Sequence, residues 1–145
     1  MAFGFRRAAV IPSSGAAAGG TPAQATLSST TTAFTFVANT SGAVVSDTTP
    51  ITNSGAGSLR GPQIGVISYG SGSGWLSAQF TSGYVLTLTF DPTGLTPGTS
   101  YTATVPITDA KAANSPLNLS VTAQVVVALR PAVLVSDSTS PLRVT

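Results

Sequence analysis

Residues 74–108 have the sequence GWLSAQFTSGYVLTLTFDPTGLTPGTSYTATVPIT, and this stretch predicts three consecutive antiparallel strands. The first begins at Trp75-Leu76, the second covers residues 84–90 and the third covers residues 100–108. Apolar and polar side chains alternate in the second and third strands, which indicates that each has one buried face. The predicted inward rows are Tyr84, Leu86, Leu88 and Phe90, followed by Tyr101, Ala103, Val105 and Ile107.

Residues 91–98, DPTGLTPG, connect the second of these strands to the third. Proline presets φ for a turn and glycine supplies a positive φ, so the connection is predicted to contain two turns on either side of Leu95. The predicted core residues are Trp75, Leu86, Leu88, Phe90, Leu95, Tyr101 and Val105.

Short alternating segments continue on both sides of this stretch. Further strands are predicted over residues 33–38, 44–52, 63–69 and 117–127, with turn-forming residues between them. Pro50 should place part of its strand at an edge or a bulge, because proline cannot donate to a ladder. About seven short strands with turns every 8–12 residues are typical of an immunoglobulin-like antiparallel β-sandwich. No stretch has useful helical periodicity, so we predict an all-β fold.

The two ends of the chain differ in composition from its centre. Residues 1–24 combine a short apolar and basic head with a stem of Ser, Gly, Ala, Thr and Pro, which is typical of a flexible linker. The apolar run before Pro12 is shorter than the roughly 7–15 residues of a secretory signal, so we expect no signal peptide. The predicted organisation is an extended N-terminal arm (1–24), a sandwich (25–129) and a short C-terminal extension (130–145).

The composition excludes several kinds of chemistry. The chain has no Cys and no His, and charged residues make up only 7% of it. Thiol catalysis, disulfides, imidazole bases and nearly all zinc sites are therefore excluded. Asp47, Asp91 and Asp109 are isolated in sequence, which argues against calcium, and the last two fit turn caps. The abundant Ser and Thr have no base to activate them. We predict no enzymatic activity, no metal and no cofactor.

Two groups of residues are candidates for binding a partner. Trp75 could stack on a sugar, but its position beside Leu76 between strands favours the core. In the arm, aromatic side chains could anchor an interface, and two arginines could meet an acidic protein surface or nucleic acid. Two arginines make a small patch for nucleic acid, so a protein surface is favoured. The candidate partner-binding residues are Phe3, Phe5, Arg6, Arg7, Val10 and Ile11.

Four segments carry a family resemblance: ITNSG (51–55), GWLS (74–77), LTLTFDPTGLTPGTSY (86–101) and AANSP (112–116). Together they resemble bacterial and phage immunoglobulin-like domains of the BACON type, over about two-thirds of the chain. The run around Gly94-Leu95 and Pro97-Gly98 is the most specific part. The resemblance implies a spacer, a glycan-binding module or a surface decoration, and it supplies no catalytic residues.

The expected function is structural. We expect a virion protein, made in the host cytoplasm, that decorates and cements a phage-like capsid surface in multiple copies. Its arm would bind the major capsid protein or other virion proteins, with no membrane partner and with nucleic acid disfavoured. The alternatives are a phage tail or fibre component, or an extracellular glycan-binding or adhesion module.

Overall fold

A computed structural model of the chain describes residues 19–128, and two packed sheets contain about half of them. The strands are β1 (Leu27–Ser29), β2 (Ala33–Asn39), β3 (Val45–Asn53), β4 (Gln63–Ile64), β5 (Ser68–Tyr69), β6 (Leu76–Thr81), β7 (Val85–Phe90), β8 (Ser100–Thr108) and β9 (Leu117–Val126). Within this part of the chain, the one helical element is a 3-10 turn at Ser82–Tyr84. The all-β sandwich predicted from the sequence is therefore confirmed. No helix that could cross a bilayer occurs in residues 19–128.

The sheet topology separates strands that are neighbours in sequence. One sheet has the order β1-β3-β7-β6, and the other has β2-β9-β8 with both β4 and β5 paired to β8. β6 and β7 form the predicted antiparallel pair, whereas β7 and β8 lie in different sheets. Residues 91–99 carry the chain across, with Gly94 and Gly98 at φ values of 76° and 78°. β2 and β9 form the one parallel pair among the described strands.

The core lies between the two sheets, where the inward rows of both meet. Side chains of Leu86, Leu88, Phe90 and Val105 are fully buried, and Ile107 beside them is buried equally. Trp75 is 3% exposed and Tyr101 is 8% exposed. Leu95 is partly buried and packs against the same cluster. Burial of such alternating rows is the main favourable term holding the sheets together.

Tyr84 does not belong to the inward row in which the sequence pattern places it. It ends the 3-10 turn with a φ of 57°, and its side chain is 45% exposed. Gly83 before it has a φ of 73°, so the chain reverses at these two residues and β7 begins only at Val85. The ring of Tyr84 instead packs edge-on against Phe80, with 5.9 Å between centroids.

The strand predicted over residues 63–69 is divided into β4 and β5, which both pair with β8. The interruption lies opposite Pro106. Gly65 N donates to Pro106 O at 2.8 Å, but proline has no N–H to return the bond. The strand pairing is therefore interrupted there, and Val66, between β4 and β5, is 90% exposed.

Candidate interaction site at the root of the N-terminal arm

The predicted partner-binding residues lie outside the part of the chain that the structure describes. These residues are Phe3, Phe5, Arg6, Arg7, Val10 and Ile11. The C-terminal extension, 130–145, also lies outside it. Residues 22–25, here called the root segment, are where the described chain meets the sandwich, so they are the part of the candidate site whose geometry is known.

Backbone hydrogen bonds attach the root segment to two loops. Gly57 N donates to Gln24 O at 3.0 Å, and Ala113 N donates to Ala25 O at 2.9 Å. Ala25 also forms an isolated parallel bridge with Ala112 and is only 1% exposed. The root segment is therefore held on both sides.

Two glycines allow the loop after β3 to lie directly against this backbone. A Cβ atom added to Gly57 would lie 2.5 Å from Ala23 O, and one added to Gly55 would lie 2.5 Å from Gln24 O. Both distances are far inside van der Waals contact, so any larger residue would push the root segment away.

Asn53 closes the same loop through its side chain. Its Oδ1 accepts hydrogen bonds from Thr26 N at 2.9 Å and from Gly55 N at 3.0 Å. Its Nδ2 donates to Gly57 O. One amide therefore connects the loop to the chain immediately after the root segment.

Asn114 completes the open side of β1. Its Oδ1 accepts from Leu27 N at 2.8 Å, and its Nδ2 donates to Leu27 O at 2.9 Å. A primary amide has the donor and acceptor of a peptide group, so this side chain takes the place of a neighbouring strand. Sequence reasoning did not single out Asn114, because its partner is 87 residues away.

Asp109 links the loops that flank the root segment through hydrogen bonds. Its carboxylate accepts from Lys111 N at 2.8 Å, Arg60 N at 2.9 Å and Gly61 N at 2.7 Å, and the residue is 3% exposed. Desolvation acts to raise the pKa of this carboxyl, but backbone donors at Lys111, Gly61, Arg60 and Ala112 hold the pKa below its usual value of 3.8. The predicted turn cap is present, and the contacts to Arg60 and Gly61 are additional.

A shallow groove of about 630 Å³ runs beside the root segment. Its lining residues are Pro22, Ala23, Gln24, Ala25, Ser58, Leu59, Arg60, Ala110 and Lys111. Arg60 and Lys111 are both exposed, and they are the cationic side chains of residues 19–128. The groove therefore places both cationic side chains of the described residues next to the root segment.

The other candidate residues have structural surroundings. Trp75 lies within an aromatic cluster, with centroids of Tyr69, Phe90 and Tyr101 at 5.6, 5.9 and 6.1 Å. Its Nε1 donates to Ser71 O at 3.1 Å. The buried indole therefore leaves no face for a sugar.

Asp91 accepts from Thr93 N at 2.9 Å, and hydrogen bonds from Thr93 hold the pKa of Asp91 below its usual value. This is the turn cap that the sequence predicts. Across residues 19–128, no group of three or more His, Cys, Asp or Glu side chains is placed to hold a metal ion.

Comparison with known proteins identifies no relative: no family model, no curated protein and no solved structure matches this chain. The resemblance to BACON-type domains therefore stays a prediction from the four sequence segments.

Proposed function

We propose that this chain is a virion structural protein that decorates and cements a phage-like capsid, with the N-terminal arm as its binding element and the sandwich as an outward-facing body. The observation that carries the proposal is the anchored root segment. A firm junction fixes where the preceding residues leave the sandwich, and the hydrogen bonds at Gln24 and Ala25 supply such a junction.

The surface of the sandwich also supports this function. Residues 19–128 contain five Asp, Arg and Lys side chains, namely Asp47, Arg60, Asp91, Asp109 and Lys111. The outward rows of the β3-β7-β6 sheet are uncharged, and the opposed positions are Ser46, Thr89 and Ser77 in one row and Thr48, Thr87 and Gln79 in the next. Neighbouring copies with such surfaces repel each other little, which suits dense packing on a lattice.

Stabilisation of the capsid would follow from linkage. An arm that binds the assembled lattice and not the free capsid subunit shifts the equilibrium toward the assembled state. The sandwich needs no catalytic group for this role.

Deletion of residues 1–20 tests the proposal, because it removes all six candidate binding residues and keeps the root segment. The full chain and the deletion variant are each incubated with virions of the phage whose genome encodes the chain, and binding is measured by co-sedimentation. We expect the full chain to sediment with the particles and the variant to stay in the supernatant. The variant should keep nearly the same thermal midpoint, since it retains every core residue described within residues 19–128.

A second variant separates sequence-specific binding from simple loss of length. Replacing Phe3→Ser and Phe5→Ser keeps the arm intact, and it should weaken particle binding about tenfold or more if the rings are anchors. Binding by the deletion variant equal to that of the full chain would contradict the proposal. Saturation at a few copies per particle, in place of many, would favour the tail or fibre alternative.

The glycan-binding alternative loses its main candidate, because Trp75 is buried. Among the aromatic side chains of residues 19–128, Tyr84 is the exposed one, at 45%. A glycan array probed with the full chain and with Tyr84→Ala distinguishes this alternative from decoration.

A further inference from the structure

β2 forms a free edge of its sheet. Over its whole length, Ala33 to Asn39, it pairs in parallel with β9 on one side. No strand within residues 19–128 pairs with its other side. An edge of this kind presents a row of unpaired backbone donors and acceptors.

The ladder identifies which residues of β2 face the open side. Ser120 N donates to Thr32 O at 2.8 Å, so the even-numbered residues direct their backbone groups toward β9. Successive residues of a strand alternate in this respect. The N–H and C=O groups of Ala33, Thr35, Val37 and Asn39 therefore point outward, and Asn39 O already accepts a hydrogen bond from Gly42 N.

The comparable side of β3 is blocked. Ser54 N donates to Thr26 O, so the even-numbered residues of β3 face the β1 side, and β1 pairs only with residues from Ile51 onward. Along the uncovered part, Thr48 N donates to the carboxylate of Asp47 at 2.7 Å. Pro50 has no N–H at all. Neither position can donate to an added strand.

The remaining edges are partly occupied or offer a shorter free stretch. Asn114 occupies the backbone groups of Leu27 on β1. On β6, the hydroxyl of Tyr69 donates to Leu76 O at 2.8 Å, which leaves only Ala78 and Phe80 facing the open side. β4 and β5 contain two residues each.

β2 has none of these protecting features: no side chain of residues 19–128 occupies its backbone groups, and no proline or charge interrupts it. Its sequence, AFTFVAN, contains no charged residue and no proline. Phe34 and Phe36 are buried in the core, so the strand is firmly held, while Val37 is 52% exposed. Natural proteins usually protect such an edge when it is meant to stay free.

We propose that β2 pairs antiparallel with β2 of a second copy of this chain, around a two-fold axis at Thr35. In that register Thr35 faces Thr35 of the other copy, and Ala33 faces Val37. Ala33, Thr35 and Val37 of each copy then meet residues that also face the open side, so each opposed pair exchanges both N–H···O=C bonds. The interface is self-complementary, as two-fold symmetry requires.

The absence of charge favours a second copy over a charged partner. A two-fold axis brings each charge close to its own copy, so a charged edge would repel itself. On the solvent-facing side of the sheet, the β9 residues that pair with Ala33, Thr35 and Val37 are Ser120, Thr122 and Gln124, which are uncharged as well. Pairing would also cover the exposed side chain of Val37 with Ala33 of the other copy.

The pairing should be weak in free solution. One strand edge of seven residues offers less than the roughly 1,200 Å² that stable interfaces bury. The population of the dimer therefore depends on concentration. This inference does not depend on the capsid proposal, and it concerns a different surface from the root segment.

Residue-resolved amide exchange of the full chain, measured by NMR over about a hundredfold range of concentration, tests the pairing directly. Amides of Phe34 and Phe36 should be protected at every concentration, because they donate to β9. Amides of Ala33, Thr35 and Val37 should gain protection as the concentration rises. Sedimentation velocity on the same samples should show a monomer–dimer equilibrium.

A pair of lysine variants supplies the matched control. Val37→Lys places a charge at the proposed interface and should weaken self-association about tenfold or more. Val66→Lys makes the same chemical change at an exposed site away from β2 and should leave association unchanged.

A cross-linking test fixes the register. The chain has no cysteine, so Thr35→Cys introduces a single thiol. A short bismaleimide should join two Thr35→Cys chains efficiently and join two Val66→Cys chains poorly.

Three results would overturn the proposal. The first is a chain that stays monomeric at all concentrations. The second is concentration-independent protection of Ala33, Thr35 and Val37, which would mean that another segment of the same chain covers the edge. The third is equal weakening by the two lysine variants.

Discussion

The free sides of β1 and β2 contrast within one small sandwich. On β1, the side chain of Asn114 occupies both backbone groups of Leu27. On β2, the outward groups of Ala33, Thr35 and Val37 have no partner within residues 19–128. One edge is closed by a side chain from the chain's own loop, and the other is left available to a second strand.

The difference corresponds to the distance of each edge from the root segment. The closed edge adjoins the root segment, where Gln24 and Ala25 are hydrogen-bonded to flanking loops. A firm junction needs satisfied backbone groups, because any buried group without a partner costs free energy. An edge used for pairing instead needs backbone N–H and C=O groups that are still free. The two edges therefore suit two different tasks.

The largest expected loss of stability comes from a core residue, and the losses expected at the two edges can be compared with it. Trp75→Ala removes a side chain that is 3% exposed and packs against three aromatic rings, so we expect a loss of about 3–5 kcal/mol in the free energy of unfolding. Urea denaturation followed by circular dichroism measures it. Val66→Ala, at a 90% exposed site, is the control and should change little. A loss below about 1 kcal/mol for Trp75→Ala would mean that the indole is not a core group.

Asn114→Ala breaks the closed edge itself. Leu27 is 2% exposed, so its N–H and C=O would be left without partners, at an expected cost of about 1–3 kcal/mol. The same denaturation experiment measures this, with Asn118→Ala on an exposed position of β9 as the matched control. If both variants were equally stable, the amide of Asn114 would contribute nothing to the edge.

Acid should lower the stability of the sandwich through Asp109, which links the loops that flank the root segment. Because the folded-state pKa of Asp109 is lowered, its contribution to stability is present above the ordinary value of 3.8 and is lost as pH falls through the folded pKa. We expect the thermal midpoint to fall below about pH 4, and Asp109→Asn to reduce that slope. Asp91, whose pKa is lowered by Thr93, should supply the remaining slope. An unchanged slope in the Asp109→Asn and Asp91→Asn double variant would contradict this assignment.

The smallest expected change in stability comes from restoring free backbone donors on the edge of β3. The same variant is the most direct test of the comparison between edges. Asp47→Thr with Pro50→Thr frees Thr48 N–H and restores an N–H at position 50. We expect a loss of no more than about 1 kcal/mol, largely from the proline. Self-association measured by sedimentation should nevertheless increase, because a second edge becomes able to pair. Unchanged association would show that these two residues do not protect the edge.

Local alternation made much of the fold predictable. The inward rows at Leu86, Leu88 and Phe90, and at Tyr101 to Ile107, are buried as the period of two indicates. Turn chemistry also placed the turns at residues 91–98 and the caps at Asp91 and Asp109. It did not predict that these turns join strands of different sheets. The inward position predicted for Tyr84 was wrong, since positive φ values at Gly83 and Tyr84 delay the start of the strand to Val85.

Contacts between distant residues were beyond such reasoning. Asn114 lies 87 residues from Leu27, and Asp109 lies 48 residues from Gly61. Neither asparagine nor aspartate has a local pattern that names its partner. The root segment could therefore be recognised only from the folded chain, while the candidate binding residues of the arm remain predictions.

The sequence by itself determined the fold class and the buried faces, because side-chain alternation and the φ preferences of Gly and Pro act between neighbouring residues. It also excluded thiol and imidazole chemistry, since the chain has no Cys and no His. Tertiary structure alone decided which sheet receives each strand, which edges are closed and where the root segment is held. Those outcomes depend on backbone groups finding partners across the sandwich, and every residue carries the same backbone groups.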